Sequence, residues 1–123
     1  MSYKLEIRNL SKAFRTPDGK NYFQVLDGIN LEVNEGEFLS IVGPSGCGKT
    51  TFLRMVNGLI PASDGVVLLD GQVIKEPGPK VGFVFQNSNL FPWRTVMANV
   101  VLGLEAQGVR KKDSYPRAQR FIE

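Results

Sequence analysis

The order of apolar and polar positions divides the chain into an alternating first part and a helical later part. Leu5, Ile7 and the nearby Leu10 predict a first strand, followed by a loop carrying Pro17-Asp18-Gly19. Tyr22 to Leu26 and then Ile29-Leu31-Val33 read as two further short strands. Asn34-Glu35-Gly36-Glu37 makes a turn into Phe38-Leu39-Ser40-Ile41-Val42, and strand–turn–strand at this spacing predicts an antiparallel β layer. Past Val42 glycines crowd the segment Gly43 to Gly48. A helix is expected from Lys49 to Asn57, with Phe52, Met55, Val56 and Leu59 turned toward a sheet. Gly58 ends it and Pro61 prevents its resumption. Gly65 to Leu69, turned by Asp70-Gly71 into Gln72-Val73-Ile74, has the form of a hairpin. A further apolar strand is expected at Val81 to Phe85 and a helix at Thr95 to Leu102, with Thr95 near its cap. A last helix is expected to open at Ser114-Tyr115-Pro116, where an early proline removes no helical hydrogen bond. It has an apolar pair, Phe121-Ile122, at its end and no capping glycine, so the domain is expected to continue beyond Glu123.

Composition narrows the classes. A chain of 123 residues is about one small domain, and 42% hydrophobic with 22% charged residues is that of an ordinary globular protein. The longest apolar run, Val66-Val67-Leu68-Leu69, stops at Asp70, far short of the ~18 residues of a membrane span. The opening Met-Ser-Tyr-Lys-Leu-Glu places a charge where a signal peptide has its apolar core, so neither secretion nor membrane insertion is expected. The single cysteine, Cys47, forms no internal disulfide, as suits a reducing compartment. The absence of histidine excludes imidazole metal ligation and imidazole acid–base catalysis. The net charge of +3 is compatible with an anionic ligand or a nucleic acid and selects neither. Arg110-Lys111-Lys112, with Arg117 and Arg120, lacks interleaved aromatic residues and reads as a solvated face, not a nucleic-acid surface.

The chemistry lies in Gly43-Pro44-Ser45-Gly46-Cys47-Gly48-Lys49-Thr50, which fits G-x-x-x-x-G-K-[ST], the phosphate-binding loop. The glycines let successive N–H groups turn inward, and the N-terminus of the following helix adds positive potential. Lys49 then reaches the β- and γ-phosphates, and the Thr50 hydroxyl is a hard oxygen ligand for Mg²⁺. A strand before the loop and an amphipathic helix after it give the motif its context. Gln86, at the end of the expected Val81–Phe85 strand, is either a polar cap or a ligand-facing amide placed to meet Mg²⁺ or an attacking water. Cys47, among N–H groups at a helix N-terminus, is either a reactive thiol or an inert small residue.

These stretches together resemble a family. Asn9-Leu10-Ser11-Lys12-Ala13-Phe14, Leu26-Asp27-Gly28-Ile29-Asn30-Leu31, Gly36-Glu37-Phe38, Gly43 to Thr51 and Val84-Phe85-Gln86 resemble, in order, the opening half of an ABC transporter ATP-binding subunit. Leu90-Phe91-Pro92-Trp93-Arg94-Thr95-Val96 is most similar to importers of the nitrate, sulfonate and taurine group. The resemblance implies an α/β fold of the P-loop NTPase class in its ABC form, with an N-terminal antiparallel β subdomain, truncated before the signature and Walker B regions. Residues 1–123 would then be the N-terminal part of one nucleotide-binding domain: 1–42 mainly antiparallel β, 43–86 the core from P-loop to Q-loop, 87–123 the start of a helical subdomain. It implies ATP and Mg²⁺ as ligands. Gly43, Pro44, Ser45, Gly46, Cys47, Gly48, Lys49, Thr50 and Thr51 would bind the nucleotide, Thr50 and Gln86 the metal, and Lys49 and Gln86 would act in catalysis. Phe14 matches the aromatic that stacks on adenine, with Tyr22 and Phe23 as rivals and a strand-end core role as the alternative.

The same resemblance implies partners: a transmembrane permease met through Leu90, Phe91, Pro92 and Trp93, a second ATP-binding subunit, and indirectly a solute-binding protein, with no nucleic acid. The alternative for that segment is packing beneath the next helix. The protein is expected in the cytoplasm, against the inner face of the cell membrane. No LSGGQ-like signature, no apolar strand ending in Asp-Glu and no switch histidine is present in the 123 residues. Val66 to Asp70 imitates a Walker B strand, but Gly71 in place of an acid makes it a hairpin turn. Phosphoryl transfer needs charge stabilisation around the whole γ-phosphate, so the complete subunit is expected to be a transport-coupled ATPase and this chain alone to bind ATP without hydrolysing it. The alternative is a fragment or pseudo-ATPase that only binds nucleotide. A soluble ABC-type protein of DNA repair or translation is a third reading, opposed by the Leu90–Val96 segment. Unpaired strand edges in the isolated chain predict poor solubility.

Overall fold

The structure, a computed structural model, describes residues 2–123. The chain divides into two compact units, Met1–Gly82 and Phe83–Glu123.

The first unit is built on a four-stranded antiparallel sheet of order β2-β1-β3-β4, with β1 Leu5–Arg15, β2 Tyr22–Val33, β3 Asp64–Leu69 and β4 Gln72–Val73. β1 carries both Ile7 and Leu10 into the core although their spacing breaks strict alternation. A bulge explains it. Ile7 pairs with Leu31 and Leu10 with Ile29, so Arg8 and Asn9 together face the single residue Asn30. Asn9 takes a left-handed φ of 50°, and its freed N–H donates to the Asn30 side-chain oxygen at 2.9 Å. A reciprocal bulge follows on β2, where Gly28 donates its N–H to Ser11 Oγ at 2.8 Å. These irregularities correct the expectation of two short strands, Tyr22–Leu26 and Ile29–Val33. The segment is one strand whose bulges at Asp27-Gly28 break the side-chain pattern without ending the pairing.

The helix α1, Lys49–Val56, lays Phe52 and Met55 against Ile7, Leu10, Leu26 and Val67, and these six buried side chains form the core. Its end is the expected one: Gly58 takes φ 80°, and the N–H of Leu59 returns to Arg54 O at 2.9 Å. The Asp70-Gly71 turn is also as expected, with φ of 51° and 77° and Leu69 paired to Gln72. Asp70 thus closes a hairpin. Its carboxylate, with that of Glu35, holds the Lys4 ammonium, whose pKa is raised chiefly by the Asp70 hydrogen bond and then by that to Glu35.

Two expected strands are not formed. Phe38–Val42 and Val81–Phe85 find no ladder partner among the described residues, and Phe38, Val42 and Val84 are 92%, 89% and 97% exposed. The antiparallel partner of the Ile29–Val33 stretch is β1, across the Thr16–Asn21 loop, and not Phe38–Val42 as the turn at Asn34–Glu37 suggested. Parallel strands need neighbours on both sides and cover on both faces, and strand composition alone supplies neither.

The second unit holds α2 Val96–Val100, α3 Leu102–Ala106 and α4 Lys111–Ile122 around the buried Val101, Ser114 and Ala118. Thr95 caps α2 by accepting from Ala98 N at 3.1 Å, as expected, but the helix expected through Leu102 breaks at Val101 into α2 and α3. α4 opens at Lys111, not at Ser114, because Ser114 and Ala118, one turn apart, are the residues it buries. Pro116 therefore lies inside the helix. Its ring omits one bond, to the carbonyl of the exposed Lys112.

Candidate nucleotide site and the relatives of the chain

The loop 43–48 is held from below by β2. Gly48, at φ 102°, stands where a Cβ would come within 3.0 Å of both Leu26 Cδ2 and Val25 Cγ1. Only glycine both adopts that backbone and lets the start of α1 sit so near the strand. The Cys47 N–H reaches Pro44 O at 3.3 Å and the Phe52 N–H reaches Gly48 O at 2.9 Å. Among the described residues, the N–H groups of Ser45, Gly46, Gly48, Lys49, Thr50 and Thr51 have no hydrogen-bond partner. Such a run of free donors at a helix start is an anion cradle. Gly46, at φ 79° and with no atom within 4 Å of the place a Cβ would take, keeps the cradle open.

Lys49 is half-buried and folds over this loop, donating to Gly43 O at 2.5 Å and Pro44 O at 2.9 Å. Its Nζ lies 3.6 Å from Cys47 Sγ, and a Cβ on Gly43 would meet that sulfur at 2.8 Å. The exposed Cys47 thiol thus lies across the loop between Gly43 and the lysine. We expect maleimide labelling of Cys47 to reduce affinity for a fluorescent ATP analogue at least about tenfold, or ~1.4 kcal/mol, through bulk placed on the cradle. A labelled chain that binds as well as the unlabelled one overturns this.

Of the aromatic candidates, Phe14 and Phe23 pair across β1 and β2 with ring centroids 5.8 Å apart, while Tyr22 sits beside Arg15 one register position away. Successive residues point to opposite faces, so Tyr22 is separated from the Phe14–Phe23 pair. Lys12 Nζ stands 5.1 Å from the Phe14 centroid. Phe14 is half-buried, and Phe23 is 51% exposed. Gln86 belongs to the second unit, where it is exposed and without a side-chain hydrogen bond among the described residues. Among the described residues no group of three or more His, Cys, Asp or Glu is placed to hold a metal ion.

In the second unit Leu90, Trp93 and Val96 are 69%, 76% and 68% exposed. The Trp93 ring lies tilted against Phe91, centroids 5.0 Å apart, and among the described residues no helix covers it. Composition did not single out Asn99, whose side chain ties this segment together. Its Oδ1 accepts from Phe91 N at 2.8 Å, and its Nδ2 donates to Thr95 O at 2.9 Å. Among the described residues no helix is long and apolar enough to cross a membrane.

A glycine-rich loop of free N–H donors opening α1, set against an antiparallel sheet, defines a P-loop protein. Residues 26–123 match the ABC transporter family, and the chain belongs to it, sharing its α/β P-loop fold. It is 50% identical over all its residues to an uncharacterized ABC transporter ATP-binding protein of Methanocaldococcus jannaschii, covering 45% of that protein. It is 45% identical over 93% of its length to the bicarbonate transport ATP-binding protein CmpD of Synechocystis, covering 40% of it. To the taurine import ATP-binding protein TauB of Jannaschia it is 42% identical over 97% of its length, covering 44%. It superposes with a TM-score of 0.82 and 30% identity on the ATP-binding cassette MJ0796, solved as a dimer in a post-hydrolysis state bound to ADP and Pi, covering 94% of this chain and 54% of that one. The chain thus spans about half the length of the relatives it matches.

Proposed function

We propose that this chain is the phosphate-gripping part of the ATP-binding subunit of an ABC importer, a transport-coupled ATPase that drives solute entry through a permease. The observation that carries the reading is the run of free N–H groups from Ser45 to Thr51 under the Lys49 ammonium. A triphosphate would take those donors through its β-phosphate oxygens. Lys49 would exchange the carbonyls of Gly43 and Pro44 for β- and γ-oxygens, to which it is bound far more strongly as a charge. The loop's donor set thus fits the nucleotide. Mg²⁺ would be held through the Thr50 hydroxyl and would neutralise phosphate charge. Phe14, backed by Phe23, is the surface for adenine. In this reading Gln86 acts toward the permease, and the groups that close over the γ-phosphate belong to the rest of the cassette and to a second subunit.

Leu90, Phe91, Pro92 and Trp93 are assigned to the permease, and on this reading the subunit would work at the inner face of the membrane, with a solute-binding protein acting on the far side. Exposed aromatic anchors of this kind carry much of an interface's affinity. In the complete subunit, Trp93→Ala is expected to weaken permease capture at least about thirtyfold, or ~2 kcal/mol, while MgATP affinity stays unchanged. Undiminished capture overturns the assignment. A complete subunit that binds MgATP but never hydrolyses it, with or without permease, would make the protein a nucleotide-binding module instead.

A further inference from the structure

We propose that Asn99 is the positioning residue of the permease-docking surface: it ties the ends of the segment Phe91–Thr95 together and so holds Leu90, Trp93 and Val96 outward. The proposal rests on the permease reading above and adds to it the residue that gives the surface its shape.

Large apolar side chains exposed on a short connection are under constant pressure to fold onto one another or onto the nearest apolar face. Here Leu90, Trp93 and Val96 stay more than two-thirds exposed, and the loop that carries them is fixed by side-chain hydrogen bonds. The neighbouring helix cannot fix that loop by length, since α2 has five residues. The Asn99 side chain can. Its oxygen takes the Phe91 N–H at 2.8 Å, and its amino group points at the carbonyls of Thr95 at 2.9 Å, Phe91 at 3.2 Å and Arg94 at 3.3 Å. A single amide therefore grips the first residue of the segment through both main-chain groups and the last two through their carbonyls. Asparagine is suited to this because one short, planar side chain offers an acceptor and two donors. The main chain supports the same ring, with Arg94 N donating to Phe91 O at 3.1 Å.

Arg94 completes the support from the inner side. Its guanidinium lies 6.0 Å from the Phe91 centroid, reaches Ala98 O at 3.4 Å and pairs with Glu105 at 3.3 Å. Phe91 is thereby held as a half-buried platform against which the Trp93 ring lies tilted, centroids 5.0 Å apart. The order of support runs from Asn99 to the Phe91 backbone, from the Phe91 ring to Trp93, and from Trp93 to the partner.

The test measures the dissociation constant of the complete subunit for its permease in lipid nanodiscs, for Asn99→Ala, Trp93→Ala and the double variant. Asn99→Ala is expected to raise that constant about tenfold while leaving the MgATP dissociation constant within twofold, and to add clearly less than tenfold on the Trp93→Ala background, because part of its effect runs through Trp93. If Asn99→Ala leaves the permease constant unchanged, or its effect adds in full to that of Trp93→Ala, the positioning role is overturned while the permease reading stands. If Trp93→Ala itself has no effect, the permease reading fails first. Should the alanine variant not fold, Asn99→Asp keeps the acceptor for Phe91 N and loses the donors, and the same comparison is made with it.

Discussion

Replacing Gly65 with alanine is expected to destabilise the first unit by about 3 kcal/mol or more, among the larger effects a single methyl group produces. The reason begins at the bulge on β1. Arg8 pairs with Val66 and Ser11 with Asp64, so the extra residue at Asn9-Leu10 pushes the β1 main chain toward the single residue Gly65. A Cβ there would overlap Asn9 O and lie 2.5 Å from both Arg8 O and Asn9 C. All three are backbone atoms, so no rotamer change relieves the overlap, and β1 must leave β3. Gly65 also has φ 83°, a region that costs an L-residue roughly 1–2 kcal/mol even in open space. Gly71 separates the two contributions, since it has φ 77° and nothing within 4 Å of a Cβ. Gly71→Ala is therefore expected to cost about 1 kcal/mol, the conformational part alone. Urea midpoints of the two variants against the parent make the comparison. If Gly65→Ala costs no more than Gly71→Ala, the close approach of β1 and β3 does not hold the sheet.

Lys49→Ala is expected to weaken MgATP binding about a hundredfold while shifting stability by no more than ~0.5 kcal/mol. The two halves of that expectation have different origins. In the free chain the ammonium bonds to Gly43 O and Pro44 O, and both residues are exposed, so water takes its place when it is removed. Toward a triphosphate no such replacement exists. Charge-assisted bonds to phosphate oxygens are worth about 1.5–3 kcal/mol each, and losing one or two of them is a loss near 3 kcal/mol. The free N–H groups remain, so residual binding is expected, still dependent on Mg²⁺. Calorimetric titration of both proteins with MgATP, with thermal melts as the control, reads the two effects apart. Affinity within threefold of the parent would remove the lysine from the site and with it the transport reading.

How much of this was legible beforehand can be argued from particular residues. The bend of the glycine-rich loop was, because the left-handed backbone at Gly46 and Gly48 is a property of short sequence. The Asp70-Gly71 hairpin and the Gly58 helix end were legible for the same reason, each needing a left-handed backbone at one named position. The run from Tyr22 to Val33 was not, because Gly28 looks like a strand breaker until Ser11 is seen to satisfy its N–H from across the sheet. Asn99 was invisible because its four partners lie on a loop whose path no periodicity encodes.

The strands expected at Phe38–Val42 and Val81–Phe85 mark the boundary between the two kinds of information. By itself the amino-acid order determined which segments favour extended backbone, where the chain turns, and where a glycine-rich loop opens a helix, since these depend on residues within a few positions of one another. Tertiary structure alone decided which edge each strand meets, which bulge forces a glycine opposite it, and which side chain locks an exposed loop. Those outcomes depend on groups distant in sequence, and a hydrogen-bond ladder or a close backbone approach exists only when both sides of it are in place.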